Sequence, residues 1–199
     1  MPSLKVDCPI YLASSSPRRS DLLKEAGIPF CVVRSSYSER PMPVVYDPLI
    51  HDEISRNKAL FADVPEKDGI VIAADTVGVL DGRVLGKPRD PEDAFSMLKK
   101  MSGRCHDVIT SITLYDLKRE TFTSCRVSTL VYFKTVDDSA LREYVATGEP
   151  LDKAGSYGIQ GKGAFLIDHI DGSFSNVVGL PMEELLSMLE ENGAVTRLP

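Results

Sequence analysis

Short apolar runs alternate with polar connections along the chain, and the period of the apolar positions changes from run to run. Ile10-Tyr11-Leu12-Ala13 is continuous and apolar, as in a buried strand, and residues 20–26 beyond it are amphipathic with helical spacing. Between them lies Ser14-Ser15-Ser16-Pro17-Arg18-Arg19, with Ser16 suited to an N-cap and Pro17 to a first helical position. Residues 30–34 predict a second strand, entered from Gly27 as a helix C-cap, and prolines 41, 43 and 48 mark 34–47 as a loop. Residues 49–62 repeat as a helix, with Ile50, Ile54, Ala59, Leu60 and Phe61 as candidate buried positions. Ile70-Val71-Ile72-Ala73-Ala74 predicts a strand buried on both faces and ended by Asp75-Thr76.

Asp81-Gly82 then joins 77–80 to 83–85 as a hairpin. Residues 91–101 predict a helix with Ala94, Met97, Leu98 and Met101 on one face, closed by Ser102-Gly103. Residues 108–117 and 121–134 are rich in β-formers and predict two long strands. A helix over 139–146 ends at Gly148, and 155–163 is glycine-rich. Asp171-Gly172 signals a second hairpin between 164–170 and 173–178, and residues 181–190 form a last helix stopped by Asn192-Gly193. The mixture predicts an α/β fold with a mixed, partly antiparallel central sheet flanked by helices. No repeat or linker divides 1–199, which reads as one domain.

Charge narrows the partners. Twenty-three Lys and Arg against 29 Asp and Glu give a net charge of −6, which argues against a long basic surface for nucleic acid. Small anions remain possible through local cations. No apolar run is long enough for a membrane span, and the N-terminus lacks a secretory-signal pattern. Cys8, Cys31, Cys105 and Cys125 form no CxxC pair and no Cys/His zinc pattern, as expected of unpaired thiols in a reducing cytoplasm. His51, His106 and His169 are scattered, so a His-based metal site would have to be assembled by the fold.

The residues that can carry chemistry follow from these elements. A helix start after a hydroxyl-rich turn offers free N–H groups and the positive end of the dipole, which attract phosphate, and Arg18-Arg19 add forked donors. The same residues also describe a capped helix with two solvated arginines. Asp75 ends a very apolar run, where it can hold Mg²⁺, orient a water, or form an Asx turn or a buried ion pair; Thr76 supports any of these. Lys87, between Gly86 and Pro88, and Lys58, on the predicted helix 49–62, read as phosphate ligands or as surface charge. Gln160 offers a donor and an acceptor to a nucleobase edge from within a glycine-rich loop. Together these groups match the needs of metal-assisted hydrolysis of a nucleotide.

Several short motifs also occur in one order: Leu12-Ala13-Ser14-Ser15-Ser16-Pro17-Arg18-Arg19, Ala74-Asp75-Thr76, Gly86-Lys87-Pro88, Ser102-Gly103, Gly148-Glu149-Pro150-Leu151-Asp152-Lys153-Ala154-Gly155, Tyr157-Gly158-Ile159-Gln160-Gly161 and Val177-Val178-Gly179-Leu180-Pro181. In these the chain resembles the Maf family of nucleoside triphosphate pyrophosphatases. The resemblance implies a fold similar to the inosine triphosphate pyrophosphatases. It also implies hydrolysis of a nucleoside triphosphate to monophosphate and pyrophosphate with a divalent metal, Mg²⁺ or Mn²⁺, in a cytoplasmic homodimer. By motif, Asp75 matches the family's proton acceptor, and Arg18, Thr76 and Gln160 match positions linked to substrate preference. Ser14, Ser16, Arg19, Lys58 and Lys87 match positions around the phosphates. Arg-Arg, Asp-Thr and Ile-Gln-Gly together resemble the branch acting on dTTP and UTP; a 7-methyl-GTP enzyme and a nucleotide-binding regulator of cell division are the alternatives. The family's acidic pair after the second strand is reduced here to Glu39, preceded by Ser38, and the resemblance places Glu39 with Asp75 at the metal.

Overall fold

In the computed structural model, which describes residues 4–197, the chain begins with strands β1 (Leu4–Val6) and β2 (Ile10–Leu12), helix α1 (Pro17–Glu25), strand β3 (Cys31–Val32) and helix α2 (Pro48–Leu60). It continues through strands β4 (Ile70–Leu80) and β5 (Arg83–Leu85), helix α3 (Pro91–Met101), strands β6 (Cys105–Asp116) and β7 (Thr121–Phe133), and helix α4 (Asp138–Ala146). Three short 3₁₀ turns between residues 149 and 166 lead to β8 (Ile167–Asp171), α5 (Phe174–Val178), α6 (Met182–Glu191) and β9 (Val195–Arg197). The single-domain reading of 1–199 and the reading of the extreme N-terminus extend onto residues outside those described.

The main sheet runs β3–β2–β4–β6–β7–β8, with β5 folded back on β4. Strand β2 is parallel to both β3 and β4, whereas β4, β6, β7 and β8 pair antiparallel in succession. The expected mixed α/β sheet is therefore present. From β2 the chain passes through α1 to β3 on one side, and from the neighbouring β4 it goes on to β6 on the other, so the order reverses between β2 and β4. In open α/β sheets such a switch point is where ligands bind. Here it also leaves a gap. One edge of β4 pairs with β6 without a break from Ile70 to Val79. On the other edge, β2 reaches only Ile72 and β5 begins only at Gly78, so residues 73–77 have no strand neighbour there.

Alternation along β4 supplies two cores. Ile70, Ile72 and Ala74 pack with Leu12, Leu23, Leu180 and Leu185 beneath α1 and α6, while Val71 and Ala73 pack with Tyr11 and Ala59 beneath α2. A third core joins Leu98 and Met101 of α3, Leu141 of α4, and Val131.

Several expectations are corrected. Asp75 does not end a strand: β4 passes straight through Asp75-Thr76, because β6 continues to pair with it opposite both residues. Residues 173–178 are not a strand but α5, since the Ser173 hydroxyl caps Asn176 N and the Asn176 amide is buried against Val108 O and Thr129 Oγ1. The second strand shortens to Cys31–Val32. Leu60 and Phe61 are 44% and 49% exposed, and α2 buries His51 and Ser55 instead, because it lies over a polar patch of the sheet. On α3, Phe95 is buried, whereas Met97 is only half-buried. Ser16 is the N-cap of α1, as its position predicts, with Pro17 in the first turn, but its side chain makes no capping bond. The small β1–β9 sheet had no signal in the hydrophobic pattern.

Candidate active site

The turn from β2 into α1 brings its groups to the gap in β4. Ser14 Oγ accepts from Ser16 N at 3.2 Å and from Arg19 Nη1 at 3.1 Å. Arg19 also donates through Nη2 to Thr76 Oγ1 at 3.0 Å and through Nε to Gly179 O at 2.7 Å. Three bonds therefore aim this guanidinium across the sheet edge. Thr76 Oγ1 shares a further hydrogen bond with Thr110 Oγ1 at 2.9 Å.

Successive residues on a strand face opposite ways, so Asp75 turns to the α2 side when Thr76 faces Arg19. There Asp75 Oδ1 accepts from Lys58 Nζ at 2.6 Å. The same ammonium lies 3.1 Å from Oε1 of Glu39, in the 34–47 loop. His51 Nε2 lies 3.1 Å from the Asp75 carbonyl oxygen and 3.3 Å from its Oδ2, both acceptors, so this nitrogen carries the proton. His51 Nδ1 is then the acceptor for the Tyr46 hydroxyl at 3.2 Å. Burial pushes the Asp75 carboxyl up, but the His51 hydrogen bond and the Lys58 charge outweigh it and hold the group at about 2. Burial lowers the Arg19 guanidinium from its ordinary value, while Asp75 and Glu39 oppose that change, so both clusters share one field.

A cavity of about 510 Å³ opens beside Thr76 and Arg19. Its wall includes Ser16, Arg18, Arg19, Thr76, Lys87 and Gln160. The structure thus brings six of the sequence-expected residues onto one surface. Ser14 meets that surface through Arg19; Lys58, Asp75 and Glu39 form the second cluster across β4. The volume suits a small molecule, since such sites span about 300–1,000 Å³. Arg18, Lys87 and Gln160 are exposed on the wall, and the two cations form no salt bridge among the described residues.

Sequence reasoning missed His51 and Tyr46. His51 bonds Asp75 and Tyr46 bonds His51, yet His51 is a lone histidine in a helix, and only its fully buried position beside β4 reveals the role. It also passed over Glu149, whose carboxylate faces the loop carrying Gln160; the glycines of that loop were the available signal. Among the described residues no three His, Cys, Asp or Glu side chains cluster as a metal cage. Asp75 and Glu39 do converge on one point, the Lys58 ammonium. Two such oxygens fit an ion that takes one or two carboxylates and completes its shell with phosphate and water, as Mg²⁺ does.

The family model for Maf-like protein matches residues 9–192. A dTTP/UTP pyrophosphatase of Geobacter sp. (strain M21) is 44% identical over 187 residues, covering 94% of this chain and 96% of the relative. One of Carboxydothermus hydrogenoformans is 45% identical over 189 residues, covering 92% and 98%. Another, of Desulfotalea psychrophila, is 45% identical over 185 residues, covering 93% and 95%. The chain belongs to the Maf family.

Proposed function

We propose that this Maf-family chain hydrolyses dTTP and UTP to the nucleoside monophosphate and pyrophosphate, cleaving the phosphoanhydride bond next to the α-phosphorus. The relatives' names supply the substrate pair. The observation that carries the reading is the gap in β4. There, the anchored Arg19 faces the cavity on one side of the strand and an ionised acid stands on the other.

In this reading the triphosphate lies along the Ser14-to-Arg19 turn. Ser14 and Ser16 bind its oxygens, Arg19 neutralises them from the cavity side and Lys58 from across the gap in β4, and the solvent-facing Arg18 and Lys87 add charge at the wall. Gln160 reads the base edge from the opposite wall. A divalent cation held by Asp75 and Glu39, Mg²⁺ by preference and Mn²⁺ as an alternative, would neutralise phosphate charge and acidify a bound water. A carboxylate held at about 2 is a weak base at neutral pH. In this reading it serves first as a fixed negative charge that holds and orients its partners, and only second as a proton acceptor. Charge neutralisation and positioning carry most of the acceleration, as in other phosphoryl transfers.

We read the chain as one catalytic domain that works as a homodimer in the cytoplasm. The unbroken family match supports the single domain; family resemblance alone supports the homodimer. The four free cysteines fit a reducing compartment, and no helix among the described residues is long and apolar enough to cross a membrane.

The test is a panel of dTTP, UTP, CTP, 7-methyl-GTP and ITP, with and without Mg²⁺, scored for monophosphate and pyrophosphate. Turnover of dTTP and UTP above the others, dependent on the cation, is expected. Binding without turnover would overturn the reading in favour of a regulator; preferential turnover of 7-methyl-GTP would overturn the substrate assignment.

A further inference from the structure

The glycine-rich loop that carries Gln160 runs between two short 3₁₀ turns, Ala154–Ser156 and Gly161–Leu166. Tyr157 anchors its near end in the core, with a hydrogen bond to His106 at 2.8 Å, and one carboxylate ties its two flanks together. Glu149 Oε1 accepts from Gly163 N at 3.0 Å and from the Tyr144 hydroxyl at 3.0 Å, and its Oε2 accepts from Lys162 N at 3.1 Å. The Tyr144 oxygen in turn accepts from Gly158 N at 3.4 Å. Both flanks of 159–161 are therefore tied to a single carboxylate–phenol pair.

The fit is close. A Cβ on Gly161, at φ +80°, would lie 3.2 Å from Glu149 Oε2, and one on Gly163 would lie 2.5 Å from the Tyr144 oxygen. Glu149 is itself anchored, because Lys153 Nζ donates to its backbone carbonyl at 2.7 Å. Burial acts to raise the Glu149 carboxyl, but the Gly163 and Lys162 amides and Tyr144 outweigh it, so the group is held below its ordinary value and stays ionised. Gln160 projects onto the cavity wall from the centre of this cradle. Its direction is thus set by backbone on both sides and not by packing of its own side chain.

We propose that Glu149, assisted by Tyr144, is a positioning residue for substrate selection: it fixes the loop so that the Gln160 amide meets the base edge in one orientation. The inference rests on the reading of Gln160 as the base-reading group. A glutamine at 149 keeps the shape but offers an NH₂ where the cradle needs an acceptor, so at least one of the Lys162, Gly163 and Tyr144 donors loses its partner.

The experiment is a double-mutant cycle on the purified full chain: Glu149→Gln, Gln160→Ala and both together, with kcat and KM measured for dTTP, UTP and ITP. For Glu149→Gln, we expect kcat/KM on the pyrimidine nucleotides to fall about tenfold, mostly through KM, and the preference over ITP to narrow. In the Gln160→Ala background the same substitution should change kcat/KM by less than about twofold, since a residue acting through Gln160 has nothing left to position. Multiplicative losses would overturn the proposal, and so would a Glu149→Gln protein of lowered thermal stability but unchanged base preference. If Gln160→Ala alone leaves the preference intact, the base-reading role of Gln160 fails, and that outcome is recognisable apart from the cycle. Tyr144→Phe removes only one hydroxyl and supplies the same readout, with a loss of about threefold, should Glu149→Gln not fold.

Discussion

The two ends of the candidate site are built from different materials. At one end, Asp75 is gripped by side chains: Lys58 and His51 bond its oxygens, and Glu39 holds the far side of the same ammonium. At the other, Gln160 is carried by backbone amides that converge on Glu149. A strand-borne, charge-locked array suits chemistry on a triphosphate, which is the same in every nucleotide. A loop held through its main chain leaves the side chain at 160 free to differ without rebuilding its support. If that division is right, damage at the first end lowers kcat and damage at the second raises KM and blurs selection.

The sharpest way to break this division is Asp75→Asn. The amide keeps the size of the side chain but removes the charge, and kcat should fall by about a thousandfold or more, with KM within a few-fold. Pyrophosphate release from dTTP and UTP is the measurement. A loss smaller than tenfold would take the acid out of the reaction.

Lys58→Met comes next, with an expected fall of about a hundredfold in kcat. It also tests the acid-side linkage. The Asp75 carboxyl sits at about 2 in the fold against an ordinary 3.8. That gap corresponds to about 2 kcal/mol of stability. Because the folded value is depressed, this stabilisation is fully present above about pH 4 and is lost as the pH falls towards 2. Urea unfolding between pH 5 and pH 2 should therefore show a steeper acid loss in the unaltered chain than in Lys58→Met. Parallel slopes would show that Lys58 contributes nothing to the depression.

Much of this was legible beforehand, for a physical reason. The β2 run, the serine turn, the Pro17 helix start and the Asp81-Gly82 hairpin are local signals, and local chemistry fixes them. The side chains expected to bind phosphate were named by charge and position, and the fold brings them to one gap. What stayed hidden depends on partners distant in sequence. Asp75 looked like a strand end because a carboxylate interrupts an apolar run, yet β6 pairs straight past it. Residues 173–178 carry β-branched and aromatic side chains but form a helix, since the buried Asn176 needs Val108 and Thr129. Helix α2 buries the expected Ile54 and Ala59 but also a histidine and a serine, because the sheet beneath it offers hydroxyls and the Asp75 carbonyl.

That polar burial gives the third test. His51→Leu fills the space but removes one hydrogen-bond partner from the Tyr46 hydroxyl and a donor from Asp75. Taking a partner from a buried polar group costs about 1–3 kcal/mol, read by urea unfolding. The loss in kcat should be smaller, about three- to tenfold, since Lys58 still holds the carboxylate. A KM effect alone would place His51 with the loop end of the site.

The mildest substitution asks where along α2 the catalytic end is set. Asp47 caps this helix: its Oδ1 accepts from Leu49 N at 2.9 Å and from Ile50 N at 3.4 Å. Asp47→Ala removes the cap, which costs about 1 kcal/mol and lowers Tm by about 2–4 °C in a chain of this size. His51 and Lys58, however, lie further along, and the helix is fastened in its middle, where Ser55 Oγ meets Ser111 Oγ and Thr113 Oγ1, each at 2.9 Å. The entering chain is also fixed by Tyr46 N donating to Gly82 O at 2.9 Å. Turnover should therefore stay within twofold of the unaltered chain while the melting temperature drops. A tenfold fall in kcat would mean that the first turn of α2, not its buried middle, sets the position of Lys58 against Asp75.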